Sequence, residues 1–461
     1  MNSNLATITE KLYPYQSEDV EFLESHPRCI NGNECGLGKT IEALALINKL
    51  GTRHNLIVAP KTLLFEWWSQ INDWLNEPCL TPHTNGDKLD GLDLSAPRFV
   101  AVNYDLLAIP RYWTALTDVK WDVIIFDECH RLKNHRAKRT KAAHLLVPCI
   151  PRVIMMSGTP MQNSPADLFP LFHILNPKLY RSYTSWVNLF CVVVPMVVGN
   201  KHFSQIVGAK NTEELNSLLH RHMIRHTKKE VLKELPDKLY RTIPVSLGKE
   251  LKQYKQMEEE LFALLDSGEL ITAPAVIAQL TRLRQICLDP NLLSHEIPKA
   301  STPSNKTQTL LELIDDTDDK IVVYSYFEQY IRILSQELNQ RGIKHVVVTG
   351  SVNTASRGRA IHEFQNDEDT RVFLGTIGAA GEGVTLTASH TVVFTDHHWN
   401  PAVNWQAEDR LHRIGQKNSV LAIDLFCKNT IEEHVHKVIR RKEKMIDAVV
   451  TKEIVDSMIR R

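Results

Sequence analysis

Apolar positions in this chain come in short unbroken runs separated by amphipathic stretches. Residues 55–60 read NLIVAP, 98–107 RFVAVNYDLL, 122–130 DVIIFDECH and 153–163 VIMMSGTPMQN. Runs of this kind, without strict alternation, predict strands buried on both faces, the mark of a parallel sheet. After the first run, KTLLFEWWSQINDW sets Leu64, Trp67, Trp68 and Ile71 at helical spacing, and the tryptophan pair reads as core. A second series follows: KIVVYSY (320–326), KHVVVTG (344–350), RVFLGT (371–376), GAAGEGVTL (378–386) and TVVFTD (391–396), with helical stretches between the first three. Two such series predict an α/β chain with two doubly wound parallel-sheet lobes in tandem. Residues 164–300 are expected to be mostly helical, from the spacing in DLFPLFHIL, NSLLHRHMIRHTKKEVLKEL, KELKQYKQMEEELFALL and VIAQLTRLRQICL. Pro236 marks a domain boundary, KASTPSN (299–305) reads as a linker, and the chain closes on a helix striped by Ile431, Val435, Val438, Met445 and Val449.

The candidate chemistry sits where strands end. Residues 33–40 read NECGLGKT. Gly36 and Gly38 allow main-chain N–H groups, including those around Leu37, to crowd phosphate oxygens. Lys39 supplies a point charge and the Thr40 hydroxyl suits Mg²⁺. A helical pattern follows at once, so phosphates would sit on a helix N-terminus. A strict phosphate loop has glycine where this chain has Asn33, a residue that still tolerates left-handed backbone; the alternative is a glycine-rich turn before an ordinary helix. Upstream, the Gln16 amide offers the donor and acceptor that could read adenine, or merely opens a helix. Asp127 and Glu128 are adjacent carboxylates closing an apolar run, and their repulsion calls for a cation. Asp127 is expected to hold Mg²⁺ and Glu128 to polarise the attacking water. Lys61 and Thr62 follow another strand end, where open α/β sheets place ligands.

Two basic stretches, 131–141 (RLKNHRAKRTK) and Arg225 with Lys228 and Lys229, could meet nucleic-acid phosphates or be solvated helix faces. Arg410 and Arg413, in QAEDRLHRIGQ (406–416), would share one face of a helix. There they suit charge fingers reaching a nucleotide or a surface ion-pair arrangement.

Composition narrows this only slightly. The 461 residues suffice for about three domain-sized units or two large ones. Lys+Arg and Asp+Glu both number 54, so any nucleic-acid site must be a local patch. The eight cysteines form no C-x-x-C pair and have no zinc spacing, which points to reduced thiols inside a cell. The N-terminus has no signal-peptide pattern, and CVVVPMVVG (191–199) is too short to span a bilayer.

Taken in order, NECGLGKT, DECHRLKN, SGTPMQN, LRQIC and WNPAVNWQAEDRLHRIGQ resemble the motifs of the Swi/Snf-type ATPases of helicase superfamily two. The resemblance runs from about residue 12 to about 435. QAEDR and GAAGEG look most like the distant branch that includes the annealing helicases.

The resemblance implies two RecA-like lobes, 1–235 and 236–461, with helical protrusions from about 164 and over about 245–300, and a terminal brace helix. It implies an ATP- and Mg²⁺-using motor that tracks along double-stranded or branched DNA and remodels it or a protein bound to it. Gln16, Asn33, Gly36, Leu37, Gly38, Lys39 and Thr40 would bind ATP, and Thr40 and Asp127 Mg²⁺. Glu128 would act in catalysis with Gln406, Arg410 and Arg413 from the second lobe. Lys61, Thr62, Tyr104, Ser325, Gly350 and Thr376 would touch DNA. A strand-separating helicase and an ATP-gated DNA-binding scaffold remain alternatives. The chain departs from the family at Asn33 for aspartate, Cys35 for methionine, Glu42 for glutamine, Cys129 for alanine and Ser157 for threonine. A bare, monomeric motor core is expected, with no membrane association. Its place would be intracellular: cytoplasm in a bacterium or virus, nucleus in a eukaryote.

Overall fold

The computed structural model describes residues 8–81, 94–198, 201–266, 273–293, 302–380 and 384–450. Within them lie two compact units. Lobe 1 is drawn from 1–193, 206–233 and 444–461, and lobe 2 from 194–205 and 234–443.

Lobe 1 is built on strands β1 (Arg28–Asn31), β2 (Asn55–Ala59), β3 (Cys79–Leu80), β4 (Phe99–Asn103), β5 (Val123–Asp127) and β6 (Arg152–Met156). A hairpin of β7 (Cys191–Val198) and β8 (Lys201–Ala209) follows, then β9 (Met223–Ile224). The seven-stranded sheet runs β3-β4-β2-β5-β6-β1-β9, parallel throughout. Every residue of β2, β4 and β5 is buried, as unbroken apolar runs require when helices cover both faces. Register then places the chemistry. Asn31 and Asp127 both pair with Met156, and Ile224 pairs with Asn31. The segments leaving β1, β5, β6 and β9 therefore emerge side by side at one sheet edge.

Lobe 2 carries β10 (Lys238–Val245), β11 (Ile321–Ser325), β12 (His345–Val348), β13 (Val372–Thr376), β14 (Thr391–Phe394) and β15 (Val420–Cys427), ordered β10-β15-β14-β11-β13-β12 and again parallel throughout. Its core shows the two-residue period of a sheet covered on both sides. Val323, Leu374 and Val393 face one cluster, while Val322, Tyr324, Phe373 and Val392 face the other.

Three expectations are corrected. Residues 164–300 are not helical throughout, because the hairpin, β9 and β10 lie among them. β9 is two residues long, and β10 is a mostly exposed edge strand containing Pro244. Neither position needs an apolar run, so neither leaves a hydrophobic signature. The stretch 216–235 is not one helix: it breaks after His220 for β9 and continues as a single turn at Lys228–Val231. GAAGEGVTL is not a strand. Ile377–Ala380 is a short helix, 384–386 has no regular structure, and Gly381, Glu382 and Gly383 lie outside the described residues. Residues 299–301 of the expected linker also lie outside them. Among the described residues no helix is long and apolar enough to cross a membrane, and all eight cysteines are free thiols.

Candidate active site

The loop between β1 and helix α2 (Lys39–Leu50) holds its shape through glycine and one glutamine. Gly36 and Gly38 have φ of 89° and 88°, in the region that L side chains avoid. A Cβ on Gly38 would also lie 2.4 Å from Gln16 Nε2. That Nε2 donates to the Leu37 carbonyl at 2.9 Å, and Gln16 Oε1 accepts from the Tyr13 N–H at 2.9 Å. Gln16, in the first turn of helix α1 (Pro14–Ser25), therefore splints the loop. It keeps one further N–H and one lone pair with which to meet a base.

Lys39 Nζ donates to the Asn33 and Glu34 carbonyls at 2.7 and 3.1 Å. Beneath the loop, Asn33 and Glu42, two of the departures from the family pattern, prove to be partners. Asn33 Nδ2 donates to Glu42 at 3.3 Å and to Asp19 at 2.5 Å, and Asn31 Nδ2 donates to Glu42 at 2.5 Å. The family's aspartate and glutamine are thus exchanged here for asparagine and glutamate, so one amide and one carboxylate are kept. Burial, reinforced by Asp19, pushes the Glu42 carboxyl well above the usual range.

The acidic pair closes β5. Asp127 Oδ2 accepts from the Trp67 indole N–H at 2.9 Å, and Oδ1 from the Glu128 N–H at 2.9 Å. Burial, then the Glu128 charge, raises its carboxyl to about 7. Glu128 is bent into the left-handed region, with φ 51°. A glutamate held there without glycine's freedom stores strain, which gathers at sites where geometry matters. Its Oε2 accepts from Ser157 Oγ at 3.2 Å and lies 3.1 Å from His130 Nδ1. Ser157 leaves β6 through Gly158, where a Cβ would meet Cys35 Sγ at 2.8 Å. The serine turn can therefore approach the phosphate loop closely only with glycine beside it.

From the β9 side, Arg225 donates to the Gly32 carbonyl at 2.6 Å and the Gly158 carbonyl at 3.1 Å. The His226 N–H donates to Asn33 Oδ1, and the Lys228 N–H to Glu34. This corrects the second basic stretch. Lys229 is exposed, but Arg225 and the buried Lys228 neither offer a patch for nucleic acid nor lie on a solvated face. They brace the nucleotide loop. Of the tryptophan pair expected in the core, Trp68 is 42% exposed, on the outer face of its helix, which corrects the expectation for it. Trp67 is core and also orients Asp127. Its signal was available, since a buried indole N–H requires an acceptor.

In lobe 2, helix α3 (Pro401–Glu408) starts at Asn400, whose side chain accepts from the Ala402 N–H, and contains Gln406, buried at 5% exposure. It ends before the arginines, so Arg410 and Arg413 do not share a helix face, contrary to expectation. Arg413 donates to Thr385 Oγ1 at 3.0 Å, and the Arg410 carbonyl accepts from the Leu386 N–H at 2.9 Å. Gln416 Nε2 donates to the carbonyls of Ser389 and Leu411 and stitches the turn closed.

Of the residues expected at DNA, Lys61 and Gly350 are exposed and Thr62 is half-buried. Tyr104, Ser325 and Thr376 are buried. The Tyr104 hydroxyl donates to the Asp127 carbonyl, and that of Ser325 to Asp396. The side chains of these three are therefore withdrawn from the surface. Of the first basic stretch, Arg136, Lys138 and Lys141 are exposed.

A family model for the SNF2-related domain matches residues 15–292, and one for the helicase conserved C-terminal domain matches 305–415. The human protein named DNA annealing helicase and endonuclease ZRANB3 is 30% identical over 443 residues, covering 94% of this chain and 40% of that protein. The Xenopus tropicalis SWI/SNF-related matrix-associated actin-dependent regulator of chromatin subfamily A-like protein 1 is 29% identical over 439 residues, covering 94% and 44%. The chain thus spans less than half the length of either relative. Among solved structures, the Sulfolobus solfataricus SWI2/SNF2 ATPase core in complex with dsDNA is 25% identical, covers 95% of this chain and 93% of that one, and aligns with a TM-score of 0.46. With a nucleotide loop in the first matched domain and an arginine-bearing turn in the second, the chain belongs to the SNF2 family of helicase superfamily two ATPases.

Proposed function

We propose that the chain is an ATP-dependent double-stranded DNA translocase that remodels protein–DNA complexes or branched DNA, with hydrolysis stimulated by DNA. The observation that carries this reading is the placement of Glu128. It is held off the preferred backbone region and aimed through Ser157 and His130, at the edge where the Lys39 loop also emerges. A scaffold that only binds nucleotide has no need of such a carboxylate. The printed name of the human relative supports DNA as partner.

Lys39, already held by two carbonyls, would exchange them for phosphate oxygens. The Thr40 hydroxyl and Asp127 carboxylate are hard oxygen donors that fit Mg²⁺, and Asp127, raised by burial, is a group that a cation relieves. The ion, when bound, neutralises phosphate charge. Glu128 orients the attacking water. Gln406, Arg410 and Arg413 are assigned to turnover on the strength of their motif. Residues 1–235 and 236–461 serve as the two motor lobes, with protrusions over 164–235 and 245–300 and a brace formed by the last helix. Lys61, Thr62 and Gly350 meet the DNA backbone, so sequence preference is slight and salt dependence steep. The motor works as a monomer inside the cell, on DNA or on a protein bound to it.

The test is ATP turnover without DNA and with single-stranded, duplex and forked DNA. At least tenfold stimulation by duplex or forked DNA, abolished by Lys39→Ala, is expected. Turnover indifferent to DNA overturns the reading, and unwinding of a partial duplex would favour a strand-separating helicase instead.

A further inference from the structure

Among the described residues, lobe 2 holds two clusters of metal-ligating side chains. In the first, Cys287, Cys427 and Glu432, the places of a cation are taken. Lys306 Nζ contacts both Glu432 oxygens at 2.7 and 2.9 Å, and the Cys427 thiol donates to the Cys287 carbonyl. The second cluster, His397, Asp424 and His436, is not closed in this way.

The three residues come from separate elements. His397 follows β14, Asp424 lies within β15, and His436 is in the second turn of helix α4 (Ile431–Val450). His397 Nδ1 lies 3.5 Å from Asp424 Oδ1, and His436 Nε2 lies 3.3 Å from Oδ2. Both distances exceed an ordinary hydrogen bond. Each histidine nitrogen faces its own oxygen of the Asp424 carboxylate, and one donor atom from each of the three residues lies within 4.8 Å of the others. Asp424 Oδ1 is buried with no hydrogen-bond partner among the described residues, a costly state for a carboxylate. Nearby cations do not fill the place: Lys306 is neutralised by Glu432, and Arg284 by Asp396.

His397 Nδ1 and His436 Nε2 are the ring nitrogens facing Asp424, and an imidazole nitrogen is a common ligand for a transition-metal ion. The rings are fixed by packing, His397 against Phe394 at 5.1 Å and His436 against Phe426 at 4.9 Å. A surface cavity lined by Thr242, Phe426, Glu433, His436, Lys437 and Arg440 opens the His436 side of the cluster to solvent.

We propose that His397, Asp424 and His436 bind a divalent transition-metal ion of the zinc type, which clips β14, β15 and helix α4 together within lobe 2. Two imidazoles and one carboxylate suit Zn²⁺ or Co²⁺ rather than Mg²⁺, which prefers an all-oxygen octahedron. Water takes the fourth position. The role is structural and separate from the Mg²⁺ assigned to Thr40 and Asp127.

The full chain, stripped with EDTA and dialysed, should take up about one equivalent of Co²⁺ with visible d–d absorption, bleached by Zn²⁺. Saturating Zn²⁺ should raise the melting temperature of lobe 2 by roughly 5–10 °C. His436→Gln and His397→Gln should each weaken uptake at least tenfold, while Asp127→Asn leaves it intact. No uptake by the wild-type chain overturns the proposal, whatever the variants do. Uptake that survives both histidine changes, or that vanishes in Asp127→Asn, places the ion elsewhere and overturns it too.

Discussion

The two lobes bury charge in opposite ways. In lobe 2, three interior cations are matched with carboxylates: Lys306 with Glu432, Arg284 with Asp396, and Lys238 with Glu408 and Asp409; Asp424 is the exception. Arg284, from the LRQIC motif, also lies within about 5 Å of the rings of Tyr326, Phe327 and Trp399. In lobe 1, Asp19, Glu42 and Asp127 are met by asparagine amides, an indole, a histidine ring and a main-chain N–H. Neutral donors orient a carboxylate without cancelling its charge. Lobe 2 pairs buried charges to fix its own packing, whereas lobe 1 meets its carboxylates with neutral donors, and burial raises Glu42 and Asp127. The same residue types therefore mean scaffold in one lobe and chemistry in the other, and only their partners tell the two apart.

The strongest way to break this comparison is at Glu128. Glu128→Gln preserves shape and hydrogen bonding but removes the charge, so turnover should fall roughly 10²–10⁴-fold, with ATP binding and melting temperature nearly unchanged. A variant that unfolds would mean the glutamate is structural, as its counterparts in lobe 2 are. Lys306→Ala tests the other half. It leaves Glu432 buried without its partner and should cost about 3–5 kcal/mol in denaturant unfolding of lobe 2. Lys306→Met with Glu432→Gln should recover most of that loss, and a double variant as unstable as the single would contradict the pairing.

The pH response sharpens the contrast. The raised Asp127 carboxyl keeps a proton that the unfolded chain has already released. Folding therefore takes up a proton between pH 4 and about 7, and stability without Mg²⁺ should fall as pH rises through that window, then level off. The size is roughly 2–4 kcal/mol, reduced by coupling to Glu128. Asp127→Asn should flatten the profile and raise the metal-free melting temperature at pH 7.5; an unchanged profile would show that the carboxyl is not held up.

The smallest effect concerns the exchanged pair under the phosphate loop. Asn33→Asp sets a third carboxylate against Asp19 and Glu42 and should cost about 1–3 kcal/mol. Adding Glu42→Gln rebuilds the family's arrangement and should restore stability. Strict additivity in this cycle would mean the two positions are independent.

What was legible in the sequence follows from burial. β2, β5 and β13 are fully buried and announce themselves as apolar runs, and Lys39, Asp127 and Glu128 stand at the ends such runs mark. β1 is silent because only Cys29 and Ile30 of its four residues are apolar, β9 because it has two residues, and β10 because its edge position leaves it exposed. With β9 unseen, Arg225 could only be read as one cation among several, although it grips the loop from a strand 193 residues away. The break at Glu408 was hidden for a related reason: QAEDRLHRIGQ has good helix formers, and the tertiary bonds of Gln416 override them. The pairing of Asn33 with Glu42 was present as two unexplained departures, which only contact could join.

The backbone at residue 128 carries a consequence for any effort to make this protein hardier. Its left-handed twist suits glycine better than glutamate by about 1–2 kcal/mol. A library sorted for thermal resilience alone should therefore accumulate glycine at 128, yielding a sturdier lobe that grips nucleotide and leaves it intact. On the role proposed for Glu128, its carboxylate persists there only while hydrolysis itself is what is being rewarded.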